Sequence, residues 1–190
     1  MKSIFALLFL AVAALAANPY LDLKDDQPVA TTYAGKEWGD EIASPTEDGV
    51  DFTAKVTMQR LAAMPWGQVV KVSFAPKSNR VIAPLYLIVT DGQILLLPGG
   101  NTEQEVKAIS EMKRQPRYER SDIRALAGGS LNFQAGPWTT KLTSRGGTCT
   151  YLTSHNSGHF TKFVWAKGAG LVEFSEGQGA MQDGFRLKKK

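Results

Sequence analysis

The sequence has little of the chemistry from which most enzyme sites are built. Its 190 residues include one cysteine, Cys149, and two histidines, His155 and His159. A single cysteine forms no internal disulfide, and a zinc site needs three or four converging ligands. The composition therefore excludes a disulfide-stapled scaffold and disfavours a metal site, so we expect no metal and no cofactor.

Sequence signatures of catalysis and nucleotide binding are also missing. The chain has no Gly-x-Ser-x-Gly elbow, no P-loop and no dinucleotide-binding fingerprint. Glycines are frequent in the segment GAGLVEFSEGQGAMQDG, residues 168–184, but no predicted helix follows them to bind a phosphate at its N-terminus. We therefore predict hairpin turns at these glycines and a protein that is not an enzyme.

A long run of apolar residues occurs only at the N-terminus. Residues 1–17, MKSIFALLFLAVAALAA, contain one positive charge at Lys2, a short apolar run and the sequence Ala14-Leu15-Ala16. This combination is typical of a secretory signal peptide and predicts an exported protein. No later segment reaches the roughly 20 apolar residues of a transmembrane helix. We therefore expect a soluble periplasmic or extracellular protein that does not span the membrane.

Charge is divided unevenly along the rest of the chain. Residues 18–48 contain eight acidic residues and two lysines, whereas residues 49–190 contain nineteen Lys and Arg against ten Asp and Glu. We predict an acidic, irregular leader over 18–48 and one β domain over 49–190. Because an exported protein does not meet nucleic acid, the basic body is interpreted either as solvated surface or as a contact for an anionic envelope component.

Alternation of apolar and polar residues predicts β-strands over most of the domain. The segments VDFTAKVTMQRL, residues 50–61, and GQVVKVSFAP, residues 67–76, have apolar residues at every second position. The segment PLYLIVTDGQILLLP, residues 84–98, has two apolar arms around Asp91-Gly92, which predicts a β-hairpin. From residue 127 onward, glycine pairs separate short runs rich in threonine and aromatic residues, as in an antiparallel sheet.

One amphipathic helix is predicted over residues 102–115. Thr102 and Glu105 have the spacing of a capping box, apolar residues recur along one side, and Pro116 ends the pattern. Because both arms of the preceding hairpin are apolar, we expect this helix to cover it. The predicted fold class is mainly β: a single curved antiparallel sheet or half-barrel with one amphipathic helix packed on it.

The cysteine and both histidines lie in one short segment, CTYLTSHNSGH, residues 149–159. One hypothesis is a hydrolase in which Cys149 is the nucleophile and His155 or His159 is the base, since an imidazole can activate a thiol. However, Cys149 lies within a predicted strand, and the residues between the histidines predict a turn. The hydrolase is therefore ranked third, behind two binding functions.

A first resemblance concerns the block FVWAKGAGLVEF, residues 163–174, with a looser match at Tyr20, Leu21, Leu23 and Tyr33. These features resemble small exported bacterial proteins of the lipoprotein-carrier-like half-barrel type. The resemblance implies a curved sheet whose concave side can hold an acyl chain. On this basis we predict non-catalytic binding of an apolar or amphiphilic, lipid-like ligand in the cell envelope, the alternative being that the same residues fill a dry core. The predicted lining residues are Leu87, Val89, Leu95, Leu97, Phe163 and Trp165.

A second resemblance concerns the segment SGHFTKFVWAKG, residues 157–168. It is similar to a loop and strand of the periplasmic lysozyme-inhibitor family, whose members are small β-barrels. The resemblance implies a protein-binding inhibitor or adaptor that acts on an envelope protein through the loop from Ser154 to Phe160. The contact residues implied by it are Ser157, Gly158 and His159.

Overall fold

The computed structural model describes residues 17–21, 23–39, 49–97, 102–115, 124–179 and 183–190. The predicted signal peptide, apart from Ala17, and residues 40–48 of the predicted leader lie outside the described residues. The strands are β1 (Val29–Trp38), β2 (Val50–Met64), β3 (Gly67–Pro76), β4 (Leu85–Val89), β5 (Ile94–Leu96), β6 (Arg124–Ala127), β7 (Leu131–Ala135), β8 (Trp138–Arg145), β9 (Thr148–His155), β10 (Phe160–Ala166), β11 (Gly170–Gln178) and β12 (Asp183–Lys189), and the helix is α1 (Thr102–Ser110).

These strands form one antiparallel sheet in the order β6-β5-β4-β3-β2-β1-β12-β11-β10-β9-β8-β7. Strand β1 lies in the middle, because it pairs with β2 on one side and with the C-terminal strand β12 on the other. The sheet curves so far that β6 packs against β8, β9 and β10, near its opposite end. The predicted fold class, a curved antiparallel half-barrel, is confirmed, and the described ranges contain a single helix.

The main core lies on one face of the sheet, which we call the inner face because strands from both halves contribute to it. The rings of Phe163 and Phe174 stack with their centroids 4.7 Å apart, and Phe185 meets Phe174 edge-on at 5.1 Å. Trp165 and Tyr33 are fully buried in the same cluster. Burial of each large apolar side chain contributes roughly 1.5–3 kcal/mol, so this cluster is a main source of stability.

A smaller apolar cluster lies on the opposite face and holds α1. Ile109 of the helix packs there with Val69 and Ile88 of the sheet. The helix ends at Ser110, whereas the sequence predicts an end at residue 115. The Ser110 hydroxyl donates a hydrogen bond to the carbonyl of Lys107 at 2.7 Å, which is a local interaction that competes with continued helix.

The chain before β1 covers part of the inner face, and we call residues 17–21 and 23 the strap. The prediction of an irregular leader over 18–48 is wrong for residues 29–38, which form β1 in the middle of the sheet. The strap itself has no regular secondary structure. Its side chains Tyr20, Leu21 and Leu23 are nevertheless buried in the main core. The strap therefore belongs to the fold and adds apolar surface that the sheet alone lacks.

Asn18 fixes the strap to the β4–β5 hairpin. Its Nδ2 donates hydrogen bonds to the carbonyl oxygens of Thr90 at 2.7 Å and Gln93 at 3.2 Å. Its Oδ1 accepts hydrogen bonds from the backbone amides of Tyr20 at 2.9 Å and Leu21 at 3.1 Å. The side chain is only 5% exposed, so all four bonds form away from bulk water.

We expect Asn18→Ala to lower the free energy of unfolding by about 2–3 kcal/mol, because it leaves buried donors and acceptors without partners. Urea unfolding followed by circular dichroism measures the change. Asn132→Ala is the matched control, since Asn132 is exposed, and it should change stability by less than about 0.5 kcal/mol. Equal losses in the two variants would contradict an anchoring role for Asn18.

Candidate binding groove

A cavity of about 490 Å³ opens on the inner face at the β7–β10 end of the sheet. We call it the aromatic groove. Its lining includes three aromatic side chains, three threonines and Arg124. These aromatic and threonine residues are Phe133, Trp138, Tyr151, Thr140, Thr153 and Thr161. Aromatic surface beside a few converging polar groups is the usual composition of a ligand site.

Two aromatic side chains in the groove remain exposed to solvent. Phe133 on β7 is 48% exposed and Trp138 on β8 is 41% exposed. Phe133 lies directly opposite Thr140, so both aromatic residues share the inner face with the threonines. Leaving large rings in water costs hydrophobic free energy, and neighbouring exposed rings in a concave surface are typical of a binding site.

A row of hydroxyl groups crosses the groove beside these rings. Thr140, Thr153 and Thr161 are direct cross-strand partners on β8, β9 and β10. The hydroxyl oxygens of Thr140 and Thr153 are 3.0 Å apart. Burial raises the pKa of the neighbouring Tyr151, although Arg124 and hydrogen bonds with Thr153 and Thr140 oppose the shift. Tyr151 therefore keeps its proton at neutral pH and adds a further hydroxyl group.

Glu176 continues the row onto β11, where it lies directly opposite Thr161. Residues opposite each other on antiparallel strands share a face, so its carboxyl group lies on the inner face. Burial raises its pKa, and the positive charge of Arg80 lowers it in part. Within the described part of the chain, no residue forms a hydrogen bond or ion pair with this carboxyl group.

The residues predicted to line a ligand cavity belong to the packed clusters instead. Four of the six lie in the core of the inner face; they are Leu87, Val89, Phe163 and Trp165. The other two lie in the cluster on the opposite face, around α1; they are Leu95 and Leu97. Val89 also borders a cavity of about 320 Å³ beside the strap.

The hairpin register explains why these six side chains do not surround one space. Ile88, not Leu87 or Val89, lies directly opposite Leu95 across the hairpin. Facing residues of an antiparallel pair share one side of the sheet. Leu95 therefore shares the helix side with Ile88, whereas Leu87 and Val89 face the core.

The predicted protein-binding loop is held by a chain of side-chain hydrogen bonds. The Ser157 hydroxyl oxygen lies 2.6 Å from Nδ1 of His155 and 2.7 Å from Nδ1 of His159. The backbone amide of Ser157 also donates to Nδ1 of His155 at 3.0 Å. Gly158 has a φ of 89°, which permits the tight turn. The His155 ring is 4.8 Å from the Trp138 ring, so this loop borders the aromatic groove.

Cys149 lies in a polar cluster beneath the strap and is fully buried. Its Sγ is 2.9 Å from the Ser144 hydroxyl, 3.1 Å from the Tyr20 hydroxyl and 3.5 Å from the amide nitrogen of Gly128. Burial alone raises the pKa of this thiol. Hydrogen bonds with those three groups and the positive charge of Lys167 outweigh burial and lower the pKa overall.

The histidines do not approach this thiol. Cys149 and His155 lie six residues apart on the same continuous strand, β9. At about 3.3 Å per residue, their backbones are roughly 20 Å apart. His159 pairs with His155 at the end of that strand and is equally distant. The structure therefore does not bring Cys149 together with either imidazole.

The described residues contain neither a metal-binding cluster nor a membrane-spanning helix. No group of three or more His, Cys, Asp or Glu side chains in these ranges is arranged to hold a metal ion. In the same ranges, no helix has the length and hydrophobicity needed to cross a bilayer.

Comparison with known proteins places the chain in no family. No protein-family model and no curated protein matches it. Among solved structures, it is similar to a Bacteroides fragilis protein that is assigned as exported and has a YmcC-like fold. That likeness covers 92% of this chain and 96% of the other, with 7% sequence identity and a TM-score of 0.35.

We expect the Cys149 thiol to react with iodoacetamide roughly 100-fold more slowly in the native protein than in urea, because a buried thiol is inert whatever its pKa. Mass spectrometry of timed samples measures both rates. Asn18→Ala should speed the native reaction, since Tyr20 of the strap covers the sulfur. Similar rates for native and unfolded protein would support a reactive thiol.

We expect the free energy of unfolding to fall as the pH rises from about 10 to about 12. The hydrogen bond with Cys149, helped by burial, raises the pKa of Tyr20 to about 12, and burial raises the pKa of Tyr33 to about 12. An unfolded tyrosine ionises near its ordinary value of 10.0, so alkali favours the unfolded chain across this interval, whereas stability is unaffected below it.

Tyr33→Phe tests this assignment by urea unfolding across that pH range. In this variant the free energy of unfolding should fall less steeply between about pH 10 and about pH 12. It should also be lower by about 1 kcal/mol at every pH, because the Tyr33 hydroxyl donates a hydrogen bond to the carbonyl of Leu171. An unchanged alkaline slope would show that Tyr33 does not contribute to it.

Proposed function

We propose that this protein is an exported, non-catalytic binding protein that holds an amphiphilic ligand in the aromatic groove. The observation that carries the proposal is the juxtaposition of two exposed rings, Phe133 and Trp138, with a row of hydroxyl groups in a concavity of about 490 Å³. An amphiphile has an apolar part that can pack on the rings and a polar part that can bond to the hydroxyls.

The proposed site lies at the rim of the inner face rather than in its centre. The centre is filled by stacked rings such as Phe163 and Phe174, and Trp165 is fully buried between strands. Displacing these side chains would cost several kcal/mol of packing free energy. A ligand at the rim can bind without displacing them. Binding in the groove therefore needs no opening of the core.

The predicted signal peptide and the strap together support export. The strap is anchored from Asn18, which directly follows the predicted signal peptide of residues 1–17. Cleavage after residue 17 would therefore leave this anchor in the mature protein. A periplasmic or extracellular location is part of this proposal.

A second candidate function is an inhibitor or adaptor that binds an envelope protein through the loop from Ser154 to Phe160. The observation that favours it is the hydrogen-bond chain from His155 through Ser157 to His159, which orders an exposed turn before any partner binds. Pre-ordering lowers the entropic cost of association. In this case His159→Ala should weaken capture of the partner and leave amphiphile binding unchanged.

We expect Trp138→Ala to weaken binding of an uncharged fluorescent amphiphile, laurdan, at least tenfold, because it removes one wall of the groove. A fluorescence titration of the folded protein measures the dissociation constant. Leu61→Ala is the matched control, since Leu61 is 40% exposed and lies outside the groove lining. Unchanged affinity in Trp138→Ala, or an equal loss in Leu61→Ala, would contradict binding in the groove.

A further inference from the structure

Polar side chains form a continuous row on four adjacent strands of the inner face. Thr140, Thr153, Thr161 and Glu176 are linked by direct cross-strand pairing on β8, β9, β10 and β11. Neighbouring strands are about 4.8 Å apart, so the row spans roughly 14 Å. It can therefore contact several polar groups of one ligand at once.

The chemistry of this row matches hydroxyl groups better than it matches a charged headgroup. A threonine hydroxyl both donates and accepts hydrogen bonds, as does a hydroxyl of a ligand. A phosphate or carboxylate is better matched by Arg or Lys, which supply charge-assisted donors. The row itself contains neither, although Arg124 lines the same groove and the positive charge of Arg80 lies close enough to lower the pKa of Glu176 in part.

Glu176 gives the row a carboxyl group that accepts no hydrogen bond from a described residue, although the positive charge of Arg80 lowers its pKa in part. Burial raises the pKa of this half-buried carboxyl group, and its oxygen atoms remain open to a ligand. A ligand hydroxyl placed between Glu176 and Thr161 would supply the missing hydrogen bond. A negatively charged ligand group at this position would be repelled whenever the carboxyl group is ionised.

The two exposed aromatic rings supply apolar surface that a sugar ring can pack on. Phe133 and Trp138 flank the row on the same face, with Phe133 directly opposite Thr140. A pyranose ring carries C–H groups on its faces, which pack on aromatic rings, and hydroxyl groups at its edge, which hydrogen bond. Both contacts are available here at neighbouring positions of one surface.

We infer that the polar part of the groove's ligand is a sugar, so that the protein recognises a glycosylated amphiphile through Thr153, Thr161 and Glu176. This inference rests on the proposed function and specifies its ligand class. The sugar contacts the hydroxyl row and Trp138, and the apolar chain packs on Phe133 of β7.

Two surfactants with the same alkyl chain test the inference by isothermal titration calorimetry below their micelle concentrations. The probes are dodecyl maltoside, which carries a sugar, and dodecylphosphocholine, which carries a phosphate diester. We expect wild type to bind dodecyl maltoside at least tenfold more tightly. Thr153→Val with Thr161→Val should weaken maltoside binding at least tenfold and leave phosphocholine binding unchanged, because valine keeps the shape and removes the hydroxyl.

Thr139→Val is the matched control, because Thr139 is adjacent to Thr140 on β8 but faces the other side of the sheet. It should leave both affinities unchanged, and circular dichroism with urea unfolding verifies that every variant is folded. Equal affinities for the two surfactants, both weakened by Trp138→Ala, would overturn the sugar inference and preserve the proposed groove. Absence of binding by either surfactant, or binding insensitive to Trp138→Ala, would overturn the proposed function itself.

Discussion

The two halves of the sheet depend on the packing of aromatic rings against glycines in the central strands. The ring of Phe52 on β2 lies against Gly35 on β1, and the indole of Trp38 on β1 lies against Gly184 on β12. Each aromatic residue is the direct cross-strand partner of its glycine. A side chain at either glycine would occupy the space of the ring, so these glycines permit the closest contact at the junction. Phe160 and Gly177 repeat the arrangement between β10 and β11.

This junction determines which residues face the inner side of the sheet. Because β1 joins β12 in register, one set of alternating residues from both halves faces the inner side. The middle of that side is filled by aromatic and aliphatic residues, whereas its β7–β10 end carries the threonine row and two exposed rings. A polar, aromatic groove thus lies beside a dry core, and the proposed binding requires no loss of core packing.

The strap is a segment of irregular backbone that is nevertheless part of the core. Polar and acidic residues around Leu23 predict an irregular leader, and its backbone is irregular. Yet Tyr20 covers the sulfur of Cys149, and Asn18 bonds to a hairpin more than seventy residues away. The same contact makes Cys149 a structural group in the core, because the strap and the strands exclude solvent from it. Local composition carries no signal for such a contact.

The sequence by itself determined the features that have a local physical cause. Alternation with a period of two predicts β2 and β3, Asp91-Gly92 predicts the β4–β5 hairpin, and the capping spacing predicts the start of α1 at Thr102, all of which are confirmed. Only the tertiary structure decided that Leu95 faces the helix, that Cys149 lies far from the histidines, and that threonines of three strands form one row. These arrangements depend on register between strands, and register is set by contacts between residues distant in the chain.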